Sequence, residues 1–197
     1  FSWQETEADL VALQVEKAQN AAYRIEQYIR EIEHELSWTA LPRADADGDA
    51  LEQRRIEYLK LQRQAPAITE VAWIDPQGRE QLRISRLAMD VIGSGADFSS
   101  DPKFREVSTG AVPVYYGPVY FRKGTEPYMT IARPAGSGGG VTAAEVNLKF
   151  VWDVVSKIKI GIAGLAYVVD ENGVLIAHPD ISLVLKKSDL NSLPQVA

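Results

Sequence analysis

The polar side chains best placed to contact a ligand lie within apolar, β-rich stretches. In VTAAEVNL, Glu145 and Asn147 alternate with small or apolar residues, and a strand of this sequence puts them on one face with Ala143. A polar group buried on a strand needs a partner, which a polar ligand can supply. The opposite face of this strand is predicted to be apolar and to carry Ala144, Val146 and Leu148.

Tyrosines in two neighbouring stretches would give such a site an aromatic lining. Alternation predicts that Tyr116 and Tyr120 share one face of the third strand, and that Tyr128 and Thr130 share one face of the fourth. An aromatic-lined concavity with a few polar groups is typical of ligand pockets. The alternative leaves the tyrosines half-buried in the sheet and Glu145 in solvent. Residues of the second strand and of a short helical lid are predicted to close the pocket: Arg83, Ser85, Asp101 and Lys103.

Catalytic chemistry has little support in this sequence. The two histidines, His34 and His178, form no recognisable pair of nucleophile and base and match no metal-binding spacing. Both are predicted to be structural. The chain has no cysteine, which excludes thiol catalysis, disulfides and cysteine-ligated zinc. We therefore expect no catalytic residue, no metal site and no cofactor.

An acidic loop, LPRADADGD, contains residue types that bind calcium. The EF-hand pattern requires Gly at the sixth position and Glu at the twelfth, whereas Gly48 is fourth counted from Asp45 and Ile56 is twelfth. The loop is therefore interpreted as a capping loop that precedes a helix.

Composition and charge narrow the classes of partner. The net charge is −6, with 27 acidic and 21 basic residues, and no cluster of Lys and Arg suits a nucleic acid. We expect no nucleic-acid partner. No run of 18 apolar residues occurs in the chain, so no membrane-spanning segment is predicted within it.

The N-terminal region predicts a long helix, about residues 4–36, followed by a second helix over residues 50–64 that Pro66 ends. The apolar positions of the long helix repeat with alternating spacings of four and three, which is a heptad seam. Two interpretations are open: the helix packs on its own domain, or the seam also forms a parallel homodimer. The seam consists of Val11, Val15, Ala18, Ala22, Ile25, Ile29, Ile32 and Leu36.

Two hairpins of the chain resemble each other. In VAWIDPQGRE and AYVVDENGVL, an apolar run leads into Asp-x-x-Gly and a second run, with Asp75 and Gly78 matched by Asp170 and Gly173. Both contain residues that favour tight turns. Two copies at a domain-sized interval predict a tandem module.

The remaining elements predict an α+β fold. Asp101 can cap a short helix that begins at Pro102 and ends at Gly110. Five antiparallel strands with helices inserted after the second form a PAS-like layout, and an amphipathic helix follows the fifth strand. The first four strands are predicted at residues 68–75, 79–86, 114–121 and 127–133, and the fifth begins at residue 141.

Several stretches, taken in order, resemble the double Cache sensor domains of bacterial transmembrane receptors, particularly sensor histidine kinases. They are the long N-terminal helix, VAWIDPQGRE, DFSSDPKFREVSTG, YYGPVYFRKGTEPYMTIARP, GGGVTAAEVNLKFVWDVV and GLAYVVDENGVLIAHPD. The resemblance covers most of the chain. It implies a long helix packed on a PAS-like five-stranded sheet, followed by the start of a second PAS-like module.

The resemblance also implies a function and a location. Residues 1–66 would form a helical stalk for dimerisation, residues 67–160 a membrane-distal module that binds a small molecule, and residues 161–197 the start of an incomplete membrane-proximal module. The parent would be an inner-membrane protein anchored by segments outside this chain, and this chain would be its periplasmic or extracellular part. A histidine kinase is favoured, while chemoreceptor and nucleotide-cyclase parents stay open. The competing hypotheses are a secreted binding protein or enzyme, and a purely structural dimerisation domain.

The lid departs from the pattern of the family's amino-acid-binding members, which carry Arg-x-Trp-Tyr there and an Asp on the last strand. Here the Arg, Trp and Tyr positions are Asp101, Lys103 and Phe104, and Glu145 falls at the Asp position. Because the Arg that would hold an α-carboxylate is missing, the resemblance disfavours an α-amino acid as ligand.

Overall fold

The computed structural model describes residues 3–40, 50–136, 138–158, 165–170, 172–179, 183–184 and 190–193. Helix α1 (Trp3–Ser37) runs into a 3₁₀ turn (Trp38–Ala40), and helix α2 (Ala50–Gln64) follows. Both helices agree with the predictions to within a residue. The predicted capping loop, residues 41–49, lies outside the described residues.

A seven-stranded antiparallel sheet forms the centre of the fold. Its order is β3-β2-β1-β7-β6-β4, and β5 also pairs with β6. The three longest strands, β1, β7 and β6, are adjacent, so the middle of the sheet is continuous. The strands are β1 (Ile68–Ile74), β2 (Glu80–Ser85), β3 (Val91–Ile92), β4 (Tyr115–Tyr116), β5 (Tyr120–Arg122), β6 (Glu126–Pro134) and β7 (Val141–Asn147).

All five predicted strands are present, but two details differ from the prediction. The third strand is divided into β4 and β5, because Gly117 leaves the extended run and its amide donates to the Thr130 carbonyl at 2.8 Å. A two-residue edge strand, β3, lies between the second predicted strand and the lid helix, where no strand was predicted. The α+β class and the long helix with an antiparallel sheet are confirmed.

Helix α2 packs on one face of the sheet, which we call the helix face. Tyr58 is fully buried there, and its hydroxyl hydrogen-bonds the Thr142 hydroxyl at 2.9 Å. Burying a side chain of this size stabilises the fold by about 1.5–3 kcal/mol. Near the start of α2, the Arg54 guanidinium lies 4.4 Å from the ring centroid of Trp73, where a cation–π contact forms.

A short helix, α3 (Pro102–Ser108), covers one end of the opposite face. Its Phe104 and Val107 are buried against Ile74, Ala132, Val141 and Ala143. Asp101 is the N-cap, because its Oδ1 accepts from the Lys103 amide at 3.0 Å. The predicted capping role of Asp101 is therefore confirmed.

The described chain divides into two compact units. The first unit comprises residues 1–29, 121–127 and 148–197, and the second comprises residues 30–120 and 128–147. The first contains helix α4 (Lys149–Ser156) and a two-stranded sheet of β8 (Val168–Val169) and β9 (Leu175–Ala177). The division into modules 67–160 and 161–197 stays a prediction.

The heptad seam of α1 is buried unevenly. Ile32 and Leu36 are 3% and 0% exposed and lie in the core of the second unit. Val11 and Val15 are 53% and 48% exposed, and Ala18 and Ala22 are exposed as well, whereas Ile25 and Ile29 are half-buried. Only the N-terminal part of the seam is thus open to a partner, because its last two residues already pack within this chain. No helix in the described ranges is long and apolar enough to cross a membrane.

Candidate ligand-binding site

The sheet face opposite α2 carries a row of polar side chains, which we call the polar row. Thr130 on β6 pairs in register with Glu145 on β7, Glu145 pairs with Glu70 on β1, and Glu70 pairs with Ser85 on β2. Residues paired directly across strands point to the same side of a sheet. Four adjacent strands therefore each contribute one polar residue to a single line.

A β-bulge at Thr69 puts Glu70 into this row. Ile68 pairs with Val146 and Glu70 pairs with Glu145, so the register of β1 against β7 shifts between them. The extra residue reverses the alternation, and Ile68 joins the apolar side with Val146 while Glu70 faces the polar side. Sequence reasoning missed Glu70, because plain alternation puts it on the same face as Ile68.

Glu145 is the hub of the hydrogen bonds in the row. Its carboxylate accepts from the Tyr120 hydroxyl and, at 3.0 Å, from the Thr130 hydroxyl. Beside it, the Asn147 side-chain amide donates to the Tyr128 hydroxyl at 3.1 Å. The rings of Tyr120 and Tyr128 stack with their centroids 6.0 Å apart. Alternation correctly predicted that Glu145 and Asn147 share one face of their strand and that Tyr128 and Thr130 share one face of theirs.

The other end of the row lies on β1 and β2. Glu70 is only 7% exposed, and its Oε1 accepts from the Ser85 hydroxyl at 2.9 Å. Arg83 lies on the same strand as Ser85, two residues away. Its Nε is 3.2 Å from a carboxylate oxygen of the buried Glu80, which is ion-pair distance without hydrogen-bond geometry. Glu80 itself accepts from the Ser94 hydroxyl at 2.9 Å.

Tyr116 does not share a face with Tyr120, contrary to the prediction. It pairs with Ile131 on the helix face, and its hydroxyl donates to the Glu33 carboxylate on α1 at 2.7 Å. Burial and this bond to Glu33 raise the pKa of Tyr116 to about 12. The prediction treated β4 and β5 as one strand, and the break between them changes the alternation. Tyr116 is therefore a contact between the sheet and α1.

Tyr115 takes the place that the prediction assigned to Tyr116. It pairs with Ala132, whose own partner on β7 is Ala143, and it packs against the cluster under α3. Burial, followed by the nearby negative charges of Glu106 and Asp101, raises the pKa of Tyr115. Its position next to Tyr116 in the sequence gave no signal, because the strand break decides which of the two tyrosines faces the lid.

The two lid residues of the prediction bond mainly to each other and to their own helix. Besides capping α3, Asp101 has its Oδ2 3.8 Å from Lys103 Nζ. That Nζ lies 4.4 Å from the ring centroid of Phe98. Both side chains are half-buried, so a ligand contact at this lid would compete with existing interactions.

The two histidines contact aromatic neighbours. His34 makes an edge contact with Trp38 at 5.6 Å between ring centroids. His178 is 7% exposed, and its carbonyl accepts from the Trp152 indole at 3.0 Å. Among the described residues, no group of three or more His, Asp or Glu is arranged to hold a metal ion.

Comparison with known proteins identifies the family. The model of a Cache domain matches residues 2–195, nearly the whole chain. The chain belongs to the Cache domain family. Cache domains are extracytoplasmic, ligand-binding sensor domains of membrane receptors and are not catalytic.

Relatives of this Cache domain include both chemoreceptors and a kinase. The methyl-accepting chemotaxis protein PctB of Pseudomonas aeruginosa is 35% identical over 74 residues, which are 32% of this chain and 12% of that protein. The ligand-binding domain of the P. aeruginosa amino acid chemoreceptor PctC, in complex with GABA, has a TM-score of 0.67 at 23% identity. That match covers 98% of this chain and 83% of the PctC chain.

A third relative is the extracellular domain of mmHK1S-Z2, which is named as a histidine kinase. Its TM-score is 0.69 at 16% identity, and the match covers 92% of this chain and 78% of the other. At such identities the two solved structures support the fold. The whole PctB protein is far longer than the segment that it shares with this chain.

Proposed function

We propose that this Cache domain senses a small molecule with a positively charged amino group, bound over the polar row of the seven-stranded sheet. The observation that carries the proposal is the direct pairing of Glu70 with Glu145 on adjacent strands. Both carboxylates face the same side of the sheet, with Tyr120 and Thr130 bonded to Glu145 and Ser85 bonded to Glu70.

The charge of this pair argues for a cationic ligand group. Like charges directly opposite each other on antiparallel strands are destabilising. Glu70 keeps its bond from Ser85 and a further interaction within the protein, so a ligand cation would add to these contacts. An ammonium group between the two glutamates would offset their repulsion, and the stacked tyrosines would cover its aliphatic part.

The relatives support an amine-bearing ligand in general terms, since GABA, the ligand of PctC, has an amino group. The lid of this chain supports a ligand that does not rely on an α-carboxylate. Asp101 is the N-cap of α3 and puts a negative charge where an anion would have to bind. We therefore propose an amine without an α-carboxylate as the preferred chemical class.

Matched ligands test this proposal directly. GABA, 1-aminobutane and butyrate differ only in whether the ammonium or the carboxylate is present, and each is titrated into the chain by calorimetry and thermal shift. We expect the two amines to bind and butyrate to fail. A ligand at 100 times its Kd adds about 2.7 kcal/mol to the free energy of unfolding, which thermal shift detects.

A charge-removing variant locates the site. Glu145→Gln keeps an oxygen for Tyr120 and Thr130 but removes the negative charge, so amine affinity is expected to fall by about tenfold or more. Glu52→Gln, at an exposed position on α2, is the matched control and is expected to leave affinity unchanged. Amine binding that is equally strong in Glu145→Gln would contradict the proposal.

We further propose that this chain is the periplasmic or extracellular part of a membrane-anchored signalling receptor, with a sensor histidine kinase as the leading candidate. The sequence pattern favours the kinase, and mmHK1S-Z2 is a structural neighbour with that name. A chemoreceptor is the second candidate, because PctB and PctC are both chemoreceptors. The sequence that follows this domain in the full gene decides between a kinase core and a chemoreceptor signalling domain.

The N-terminal part of the heptad seam supports a proposed homodimer. Val11 and Val15 are about half exposed, so a partner helix could cover them without disturbing the core that holds Ile32 and Leu36. The double variant Val11→Glu and Val15→Glu is expected to give only monomers in sedimentation, with an unchanged circular dichroism spectrum. Dimers that persist in this variant would exclude the seam as the interface.

A further inference from the structure

A groove separates α1 and α4 within the first unit and has a volume of about 370 Å³. Four polar residues line it: Lys17, Asn20 and Arg24 from α1, and Lys157 from the C-cap of α4. Ala21, Val154 and Ile158 supply its apolar wall. The α1 residues follow helical spacing and lie on one side, roughly a third of a turn from the heptad seam, so a dimer along the seam would leave this groove accessible.

The charge of the groove is opposite to that of the chain. The chain as a whole has a net charge of −6, yet three of the seven lining residues are cations and none is acidic. Acidic residues do occur on the same helices, for example Glu16 and Asp153, but they do not line the groove. The potential inside the groove is therefore expected to be positive.

One of the cations, the exposed Arg24, lies beside an aromatic pair. The Arg24 guanidinium lies 6.0 Å from the ring centroid of Phe150. Phe150 in turn stacks on Tyr28 with ring centroids 4.5 Å apart. Lys17 also interacts with another group of the protein. Lys157 is exposed. The guanidinium of an arginine presents a fork of N–H donors, which suits a tetrahedral or planar oxyanion.

We propose that this groove binds a phosphate-class anion. Arg24 would donate two hydrogen bonds, Lys17 and Lys157 would add point charges, and the Asn20 amide would donate to a remaining oxygen. The groove has the size of a small-molecule site. The anion is the phosphate of a soluble metabolite or of a lipid headgroup, because the same donors recognise both. The site shares no residue with the polar row. Anion binding in the groove can therefore be tested independently of amine binding at the polar row.

Two arms of one experiment distinguish the sources. The whole chain is titrated with inorganic pyrophosphate by calorimetry, and it is also sedimented with vesicles of phosphatidylglycerol and, as a neutral comparison, of phosphatidylcholine. Saturable pyrophosphate binding supports the proposal with a soluble source. Binding to phosphatidylglycerol vesicles alone supports it with a lipid source. No binding in either arm overturns the proposal.

Variants show whether the groove is responsible. Arg24→Gln and Lys157→Gln are each expected to weaken binding roughly tenfold or more, and Arg24→Lys less, since it keeps the charge but loses the fork. Lys60→Gln, at an exposed position on α2, is the control for net charge. An equal effect of Lys60→Gln, or no effect of the two groove variants, would overturn the assignment. Because Lys157 is exposed, Lys157→Gln keeps the test valid even if an Arg24 variant fails to fold.

Discussion

The two Asp-x-x-Gly hairpins make the same local bonds. In the first, Asp75 Oδ1 accepts from the amides of Gln77 and Arg79, each at 2.9 Å. In the second, Asp170 Oδ1 accepts from the amides of Asn172 and Val174, each at 2.9 Å. The glycine amide donates to the aspartate carbonyl in both turns, and both glycines have a positive φ, +81° and +73°.

The likeness extends to a second segment that the sequence repeat did not reveal. The Phe98 amide donates to the Gly78 carbonyl at 2.7 Å, and the Leu190 amide donates to the Gly173 carbonyl at 2.9 Å. A later stretch of chain thus closes over each turn. The residue after each donor lies close to the glycine. In the first hairpin the backbone of Ser99 approaches Gly78, and in the second the side chain of Asn191 approaches Gly173.

The hairpins differ most in what their strands become. β1 and β2 have seven and six residues and belong to the seven-stranded sheet, whereas β8 and β9 have two and three residues and pair with each other. An isolated two-stranded hairpin is only marginally stable. The Asp-x-x-Gly residues are therefore enough to form the turn, while the length of the strands depends on neighbouring strands.

Replacing each of the two glycines with alanine should give the largest difference in stability loss between the hairpins. At both positions the fold forces the new alanine into a left-handed backbone conformation, which costs about 1–2 kcal/mol. At Gly78 the new Cβ would also lie 2.7 Å from Ser99 Cα, so the backbone of one segment would have to shift. This shift raises the expected loss of unfolding free energy to about 2–4 kcal/mol. At Gly173 the obstacle is the Asn191 side chain, which can move.

Urea unfolding followed by circular dichroism measures Gly78→Ala, and amide hydrogen exchange measures Gly173→Ala locally. Gly110→Ala serves as the control, because Gly110 has a similar φ of +73° with no neighbour within 4 Å. If Gly78→Ala costs no more than Gly110→Ala, the close approach of Ser99 is unimportant and the two turns are equivalent.

Alanine at the two aspartates should have a smaller effect that is more equal between the hairpins. Each loses two backbone amides, and Asp75 also loses the bond from the Gln81 side-chain amide at 2.7 Å. We expect losses of about 1–3 kcal/mol for Asp75→Ala and about 1–2 kcal/mol for Asp170→Ala. Asparagine variants keep Oδ1 as an acceptor and are expected to recover most of the loss, as measured by the same two methods. A large loss in the asparagine variants would mean that charge matters more than the turn bonds.

The smallest effect is expected from one long-range contact of the larger sheet, the hydrogen bond from Tyr116 to Glu33. The folded pKa of Tyr116 is raised from 10.0 to about 12, so the folded state holds this proton more tightly than the unfolded state. Its contribution to stability is full below pH 10 and is lost as the pH rises towards 12. Tyr116→Phe is expected to flatten the fall in unfolding free energy over that range, measured by urea unfolding at several pH values. The same slope in both proteins would show that the contact contributes little.

Much of the fold follows from interactions between residues close in sequence. The bounds of α2, the cap of Asp101 on α3 and both Asp-x-x-Gly turns were predictable, because each depends on hydrogen bonds or breakers within a few positions. The grouping of Tyr128, Thr130, Glu145 and Asn147 was also predictable, since β6 and β7 alternate without interruption.

The tertiary structure decided which face the other candidates occupy. Glu70 joins the polar row only because of the bulge at Thr69. Tyr116 faces α1 because it pairs with Ile131, and the break at Gly117 separates its face from that of Tyr120. The burial of Ile32 and Leu36, against the exposure of Val11 and Val15, likewise depends on what packs on each part of α1. The helices, the turns and the uninterrupted strands thus follow from local patterns in the chain. The register between strands, and hence the faces of Glu70 and Tyr116, depends on the tertiary structure, because a shift of one residue against a partner strand moves a side chain to the other face.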